Sequence, residues 1–314
     1  MLDTLNFVRG AVAEKDLVPV LTHFRVYNGR IQGSNGRIAI DAPLPELQGY
    51  DFTVPADRFL RAVDTCGGEP KLLIKDDKLV IKRGKFTAKL PLADNAAYPL
   101  AEPDKGRKGR INIEFLPTMR QFIGQDASRP WASGVLMTGD HAYATNNVVL
   151  VRHKIDGPKK NINIPLTAVE ELCRIGVDYD IKYTHTDNHV TFYYDDGSWL
   201  RSQLFSVDWP DLSGMFKVCS RKVREDVKEA VAQILPFCPD PKTPVIKFGD
   251  DGVSTLEGDV SAVVKVAGLT EAYFRAEPLG MVFDIATHFD WSDYPKACPF
   301  KSKYLQGVII GVKS

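Results

Sequence analysis

The chain has 314 residues, 44% hydrophobic and 25% charged, and its 40 lysines and arginines balance 40 aspartates and glutamates. This composition excludes a disordered or collagen-like chain and supplies apolar material for several cores. Zero net charge excludes nucleic-acid binding by bulk attraction, so any such binding needs local segregation of charge.

The opening segment places Leu5, Val8 and Val12 at helical spacing, which predicts an amphipathic helix limited by Pro19. Strand material follows from Phe24 to Tyr27, turns at Asn28-Gly29 and resumes from Arg30 to Ile40, the Asn-Gly pair being a strong hairpin signal. A second helix is predicted over 56–64, with Phe59, Leu60 and Val63 for burial. Lys71 to Lys75, Leu79 to Arg83 and Phe86 to Leu90 then read as an antiparallel meander. The polar stretch 102–109, rich in Gly and Pro, reads as a linker.

The same order returns beyond it, with helices over 116–124 and 166–174, a hairpin over 134–151 and strands over 181–205. The last third has a helix over 221–235, a hairpin turned at Asp251-Gly252, a helix near 278–286 and strand material over 304–312.

These segments repeat in register. Ile31 to Ile40 is echoed by Ala142 to Val151, with Ser34 answered by Thr145. Val54-Pro55 is answered by Ile164-Pro165, each before a helix, and Tyr98-Pro99 by Trp209-Pro210. Three landmarks in one order and at a nearly constant offset indicate a repeated unit. The remaining third has similar length and syntax, so the chain reads as α+β with three repeated two-helix, antiparallel-sheet domains, 1–107, 108–213 and 214–314.

Catalytic and metal chemistry finds little material. His185 and His189 stand four apart, as zinc ligands on a helix would, but they flank a polar turn between strands and lack a following Glu. Asp76-Asp77, Asp195-Asp196 and Asp250-Asp251 sit where the chain must turn, which aspartate favours for its own backbone hydrogen bonding. No metal and no cofactor is expected. The cysteines Cys66, Cys173, Cys219, Cys238 and Cys298 are dispersed and odd in number, as reduced thiols are. The first residues carry no signal-peptide pattern, and no stretch approaches the roughly 18 apolar residues of a membrane span, so a soluble cytoplasmic protein without a membrane partner is expected.

Basic residues are more informative because of where they fall. Arg9, Lys15, Arg58, Arg61, Arg120, Arg174, Arg221, Lys222, Arg224 and Lys228 lie on or beside predicted helices, at positions the apolar stripes leave free.

On these residues and the repeat the chain resembles the bacterial-type DNA sliding clamps, the beta subunit of DNA polymerase III, in a compact phage version. The family's Arg-aromatic-x-Asn-Gly-x-Leu resembles Arg129-Pro130-Trp131-Ala132-Ser133-Gly134-Val135-Leu136, and its Ala-Thr-Asp-Gly-x-Arg-Leu-Ala strand resembles 144–151. Its Val-Ile-Pro resembles Asn163-Ile164-Pro165, its Phe-Pro-Asp-Tyr resembles Trp209-Pro210-Asp211-Leu212, and its Pro-Ile-Leu resembles Pro19-Val20-Leu21. The closing run 307–312 is similar to the family's last strand. Asn147-Val148-Val149 departs from the family's Gly-x-Arg.

The resemblance implies a non-enzymatic processivity factor: a head-to-tail homodimeric ring that encircles duplex DNA without sequence preference. Its partners would be the replicative DNA polymerase and the clamp loader. By position it implies Lys15, Gln125 and Arg129 as DNA-facing residues, to which the helix-face pattern adds Arg9, Arg58 and Arg120. It also implies a hydrophobic groove for partner peptides, built from Thr145, Val148, Val149, Leu150, Pro210, Met215, Val308 and Ile310. Two other readings compete: an enzyme with an acidic or histidine site on a duplicated α+β scaffold, and a β-rich carbohydrate- or protein-binding module.

Overall fold

A computed structural model describes residues 1–15, 17–176, 180–238, 244–256 and 261–313. The first copy consists of Leu2–Arg9 (α1), His23–Tyr27 (β1), Arg30–Ser34 (β2), Ile38–Pro43 (β3), Phe52–Pro55 (β4), Ala56–Cys66 (α2), Lys71–Lys75 (β5), Lys78–Arg83 (β6) and Phe86–Pro91 (β7). The second contains Arg107–Asn112 (β8), Leu116–Arg120 (α3), Gly134–Met137 (β9), His141–Thr145 (β10), Val149–Lys154 (β11), Ile162–Pro165 (β12), Leu166–Ile175 (α4), Asp180–His185 (β13), His189–Tyr193 (β14) and Trp199–Gln203 (β15). The third contains Glu225–Ile234 (α5), Val245–Gly249 (β16), Gly252–Thr255 (β17), Val263–Val264 (β18), Ala272–Arg275 (β19), Ala276–Ile285 (α6), His288–Phe289 (β20), Ala297–Lys301 (β21) and Leu305–Ile310 (β22). Each copy thus runs helix, four strands, helix, three strands, with β8 as an extra strand before the second.

The copies are interleaved in two compact units, Met1–Glu114 with Ile164–Ser206, and Phe115–Asn163 with Val207–Ser314. In the first, an eight-stranded sheet has the order β4-β1-β2-β3-β15-β14-β13-β8, beside a three-stranded sheet β5-β6-β7. In the second, a seven-stranded sheet has the order β12-β9-β10-β11-β22-β21-β20, beside a four-stranded sheet β18-β17-β16-β19. The two large sheets are made by one rule. The third strand of a four-strand set pairs antiparallel with the last strand of the next copy's three-strand set, β3 with β15 and β11 with β22.

The helices set their apolar faces against the sheets. On α2, Phe59, Ala62, Val63 and Cys66 are buried while Asp57, Arg58 and Arg61 face solvent, and Phe52 and Phe59 meet edge to face at 6.0 Å. In the second unit Phe248 meets Phe274 at 5.7 Å and Trp291 at 5.2 Å. Rings paired this way add to their area burial. All five cysteines are free thiols, and burial, with Asp293 and Asp290 nearby, pushes the Cys298 thiol up to about 12.

Three boundaries differ from the sequence expectation, each because tertiary partners override local pattern. The last three residues of the expected linker belong to a strand, β8, which pairs with β13 along its whole length despite having one buried apolar residue, Ile111. The helix expected over 116–124 ends at Arg120, after which Phe122 and Ile123 donate to carbonyls three residues back. The helix expected from Arg221 starts at Glu225, because Val223 N bonds Thr287 O and Lys222 bridges His288, holding that segment extended. Glu225 and Asp226 then occupy the first turn, where the helix dipole favours acids.

A buried polar network staples the first joint. Asp41 on β3 is fully buried and accepts from Arg30 Nε at 2.5 Å, Tyr27 Oη at 2.6 Å and Gln32 Nε2 at 3.2 Å. Arg30 Nη2 reaches across to Gly197 O at 2.9 Å. Burial, then the neighbouring Asp41 charge, pushes the Tyr27 phenol up, so it stays a donor. Removing one partner of a buried pair leaves the other uncompensated. Asp41→Ala is therefore expected to destabilise folding by about 3 kcal/mol, at the lower end of that range because Arg30 is partly solvated. Urea unfolding followed by circular dichroism checks this, and a loss below about 1 kcal/mol, the worth of one ordinary hydrogen bond, would refute it.

Candidate functional site

The turn between β10 and β11 repeats, atom for atom, the turn between β2 and β3. Thr145 Oγ1 donates to Val149 O and accepts from Asn147 N, as Ser34 Oγ does with Ile38 O and Gly36 N. Asn146 Oδ1 accepts from the amides of Val148 and Val149, as Asn35 Oδ1 does from Arg37 and Ile38. Both turns need a positive φ at their third residue, 81° at Gly36 and 70° at Asn147. Asparagine tolerates that region better than most side chains.

What covers each turn differs. At the first joint Gln203 N bonds Arg37 O and its side chain donates to Gly36 O, closing the turn with a polar cap. At the second joint Ile310 N bonds Val148 O in the same way, but its apolar side chain remains 43% exposed. One copy of the turn is finished and the other opens into a cavity of about 150 Å³.

That cavity lies within the second unit and is lined by Arg129, Trp131, Thr145, Asn147, Val148, Val149, Leu150, Leu212, Met215, Val308 and Ile310. Seven of the eight expected groove residues are among them. Pro210 is not; it is exposed, and its neighbour Trp209 instead packs on Trp131 at 5.0 Å. Asn163 Nδ2 donates to Trp131 O at 2.9 Å, fixing that wall from behind. Arg129, expected to face DNA, sits on the cavity rim and donates to Asn147 Oδ1 at 3.0 Å.

Trp131, Asn147 and Leu212 are not among the expected groove residues. Their signal is their place inside the motifs 129–136, 144–151 and 209–212. The lining is apolar apart from Arg129, Asn147 and the internally bonded Thr145, the character of a pocket that takes one or two large hydrophobic side chains.

The expected DNA-facing residues, and the other basic residues on or beside the helices, divide by what they already bind. Arg9 pairs with Asp57 at 2.6 Å and donates to Val12 O, so part of its charge is spent tying α1 to α2. Arg174 pairs with Glu171 and donates to Phe7 O at 2.7 Å, a use at the carboxyl end of α1 that the helix dipole favours. Lys15, Arg58, Arg120 and Gln125 are exposed. Arg221 and Lys222 precede α5 rather than lying on it, and Arg224, at its start, pairs with Asp226.

Several of the acidic and histidine residues take part in turns and ion pairs. Asp76 and Asp77, at φ 52° and 55°, form the two-residue turn between β5 and β6, and Asp196 accepts from Ser198 N. His189 lies 3.9 Å from Asp104, and burial, with Arg201 nearby, lowers its pKa. Among the described residues there is no group of three or more His, Cys, Asp or Glu placed to hold a metal ion, and no helix is long and apolar enough to cross a membrane.

A threefold helix–sheet repeat with sheets shared across its joints defines the DNA clamp fold. Solved structures of that fold match the whole chain: the DNA polymerase sliding clamp of Bacillus subtilis has a TM-score of 0.85 at 16% identity, covering 100% of this chain and 97% of that one. The Pseudomonas aeruginosa sliding clamp bound to griselimycin gives 0.82 at 18% identity, over 100% and 97%. The Helicobacter pylori beta clamp bound to a DNA ligase peptide gives 0.80 at 14%, over 99% and 97%. No family model and no curated protein matches the chain in sequence. The fold is that of the bacterial DNA polymerase III beta clamps.

Proposed function

We propose that this chain is a DNA polymerase processivity factor, a non-catalytic clamp that encircles duplex DNA as a head-to-tail homodimer in the cytoplasm. The observation that carries the reading is the joint rule. Each internal joint pairs a third strand with a last strand, and one of each is left over: β18 at the edge of the four-stranded sheet and β7 at the edge of the three-stranded one. Repeating the same joint between two chains uses both edges twice and closes a ring of six copies. Unpaired edges otherwise invite uncontrolled pairing. In this reading the three copies, 1–107, 108–213 and 214–314, are the three clamp domains.

The register follows from the period. Asp41 and Arg152 hold equivalent places in the first two copies, and each meets the last strand of its joint, Asp41 opposite Trp199 and Arg152 opposite Gln306. One further period along the chain is Val263, 55% exposed on β18. The same period carries Trp199 back to Ala88 on β7, whose neighbours Thr87 and Lys89 stand on the face shared with Lys82 and Val80, and Thr87 is taken as the position to join to Val263.

Lys15, Arg58, Arg120 and Gln125 face the encircled DNA with Arg9 in a lesser role, while Arg129 serves the groove. A slider needs few phosphate contacts, since each steepens the salt dependence by about 0.9 in log–log slope. The groove of the second unit receives an extended apolar peptide from the replicative polymerase and from the clamp loader. The Helicobacter pylori clamp, which binds a ligase peptide, supports this use of the fold. Light scattering tests the assembly: twice 34.9 kDa is expected, and a strict monomer at micromolar concentration would overturn the ring.

A further inference from the structure

The three-stranded sheet has two unlike faces. Its register sets Lys71 opposite Lys82, Leu73 opposite Val80, and Lys75 opposite Lys78; on the next strand Lys82 meets Thr87, Val80 meets Lys89 and Lys78 meets Pro91. Directly opposed residues share a face, so five lysines, Lys71, Lys75, Lys78, Lys82 and Lys89, stand together in a three-by-three grid. The other face carries the buried Leu79, Ile81 and Leu90, on strands against which α2 packs.

All five lysines are exposed, and among the described residues none has a carboxylate partner within ion-pair distance. Like charges directly opposite on a sheet destabilise it. In a chain with no net charge this concentration is local and costs stability, which an anionic partner would offset.

We propose that this lysine face is a second DNA-binding surface, one that takes the phosphate backbone of a duplex lying outside the ring. Charge complementarity selects a polyanion. No aromatic side chain stands on the grid, so bases of a single strand would find nothing to stack on. Lysine is a flexible point charge suited to phosphates without sequence preference. The two outer rows, Lys71 with Lys82 and Lys75 with Lys78, are four residues apart along the strands, about 13 Å. That spacing suits phosphates on either side of a major groove about 12 Å wide. Because the face lies opposite α2, whose residue Arg58 is assigned to the encircled DNA, the two DNA segments are different.

The test uses the intact protein and a short duplex whose ends are both blocked by streptavidin, so that it cannot thread a ring. Binding is read by fluorescence anisotropy from about 50 to 200 mM salt. Five phosphate contacts predict that affinity falls roughly 10²- to 10³-fold across this range, and that replacing Lys71, Lys75, Lys78 and Lys82 by glutamine, which leaves the ring-closing strand β7 untouched, lowers the log–log slope by about 3 to 4. Retention on circular DNA should survive those exposed substitutions, so failure here is distinguishable from failure of the clamp reading. Absence of binding at the lowest salt, an unchanged slope in the variant, or tighter binding to a single strand, phosphatidylserine vesicles or polyglutamate would each overturn the proposal.

Discussion

Met215→Asp is expected to weaken binding of an extended apolar partner peptide by roughly 100-fold or more, while leaving the mass of the assembly unchanged. Met215 lines the cavity at the second joint beside Leu212, Val308 and Ile310. An aspartate there removes roughly 1.5–3 kcal/mol of apolar burial. It also sets an unpaired carboxylate where the peptide would strip its water, a further penalty of several kcal/mol. Each step of about 1.4 kcal/mol is a factor of ten in affinity. Pro210→Asp is the matched control. It lies in the same segment but is exposed and outside the lining, so it should change affinity less than about threefold, an effect of under about 1 kcal/mol. Fluorescence anisotropy with a labelled polymerase-derived peptide measures both variants. Equal weakening by the two, or none by Met215→Asp, would mean that the cavity is not the peptide site.

The second large effect is covalent. Chains carrying Thr87→Cys are mixed with chains carrying Val263→Cys and treated with a short bis-maleimide that spans roughly 8 Å, long enough for diagonal neighbours across a strand pair. A species of twice the chain mass is expected in the mixture and not in either variant alone, since neither alone brings an introduced thiol to a partner's. The native thiols provide the background, and Cys66, Cys219 and Cys298 are buried. No cross-link in the mixture would mean that β7 and β18 do not meet.

Much of the fold was legible because the repeat is written in residues whose chemistry is local. Ser34, Asn35 and Gly36 specify a turn by their own hydrogen bonds, and Thr145, Asn146 and Asn147 respecify it in the next copy. The groove residues came instead from the resemblance to the clamp family, position by position, and seven of those eight positions line one cavity while Pro210 does not. What was not legible depends on distant partners. β8 is a strand because β13 offers it an edge, and its own sequence of arginines, lysine and glycine says loop. Arg9 and Arg174 look like free helix-face cations until Asp57 and Glu171 are placed beside them. That Arg129 sits at the cavity rim and donates to Asn147 also depends on the fold, since the two residues are 18 apart in the chain. The lysine grid was hidden in plain alternation, because only the register of β5, β6 and β7 puts five charges on one side.

Encirclement is the central claim, and the cross-link offers its most direct measurement. The doubly substituted chain, Thr87→Cys with Val263→Cys, is closed with the bis-maleimide in the presence of nicked circular DNA, and the mixture is then denatured in detergent. A covalent ring threaded by the duplex should stay with the circle in detergent and be released when the circle is cut. Loss from the circle on denaturation despite complete cross-linking, or equal association with DNA that was linear from the start, would contradict it.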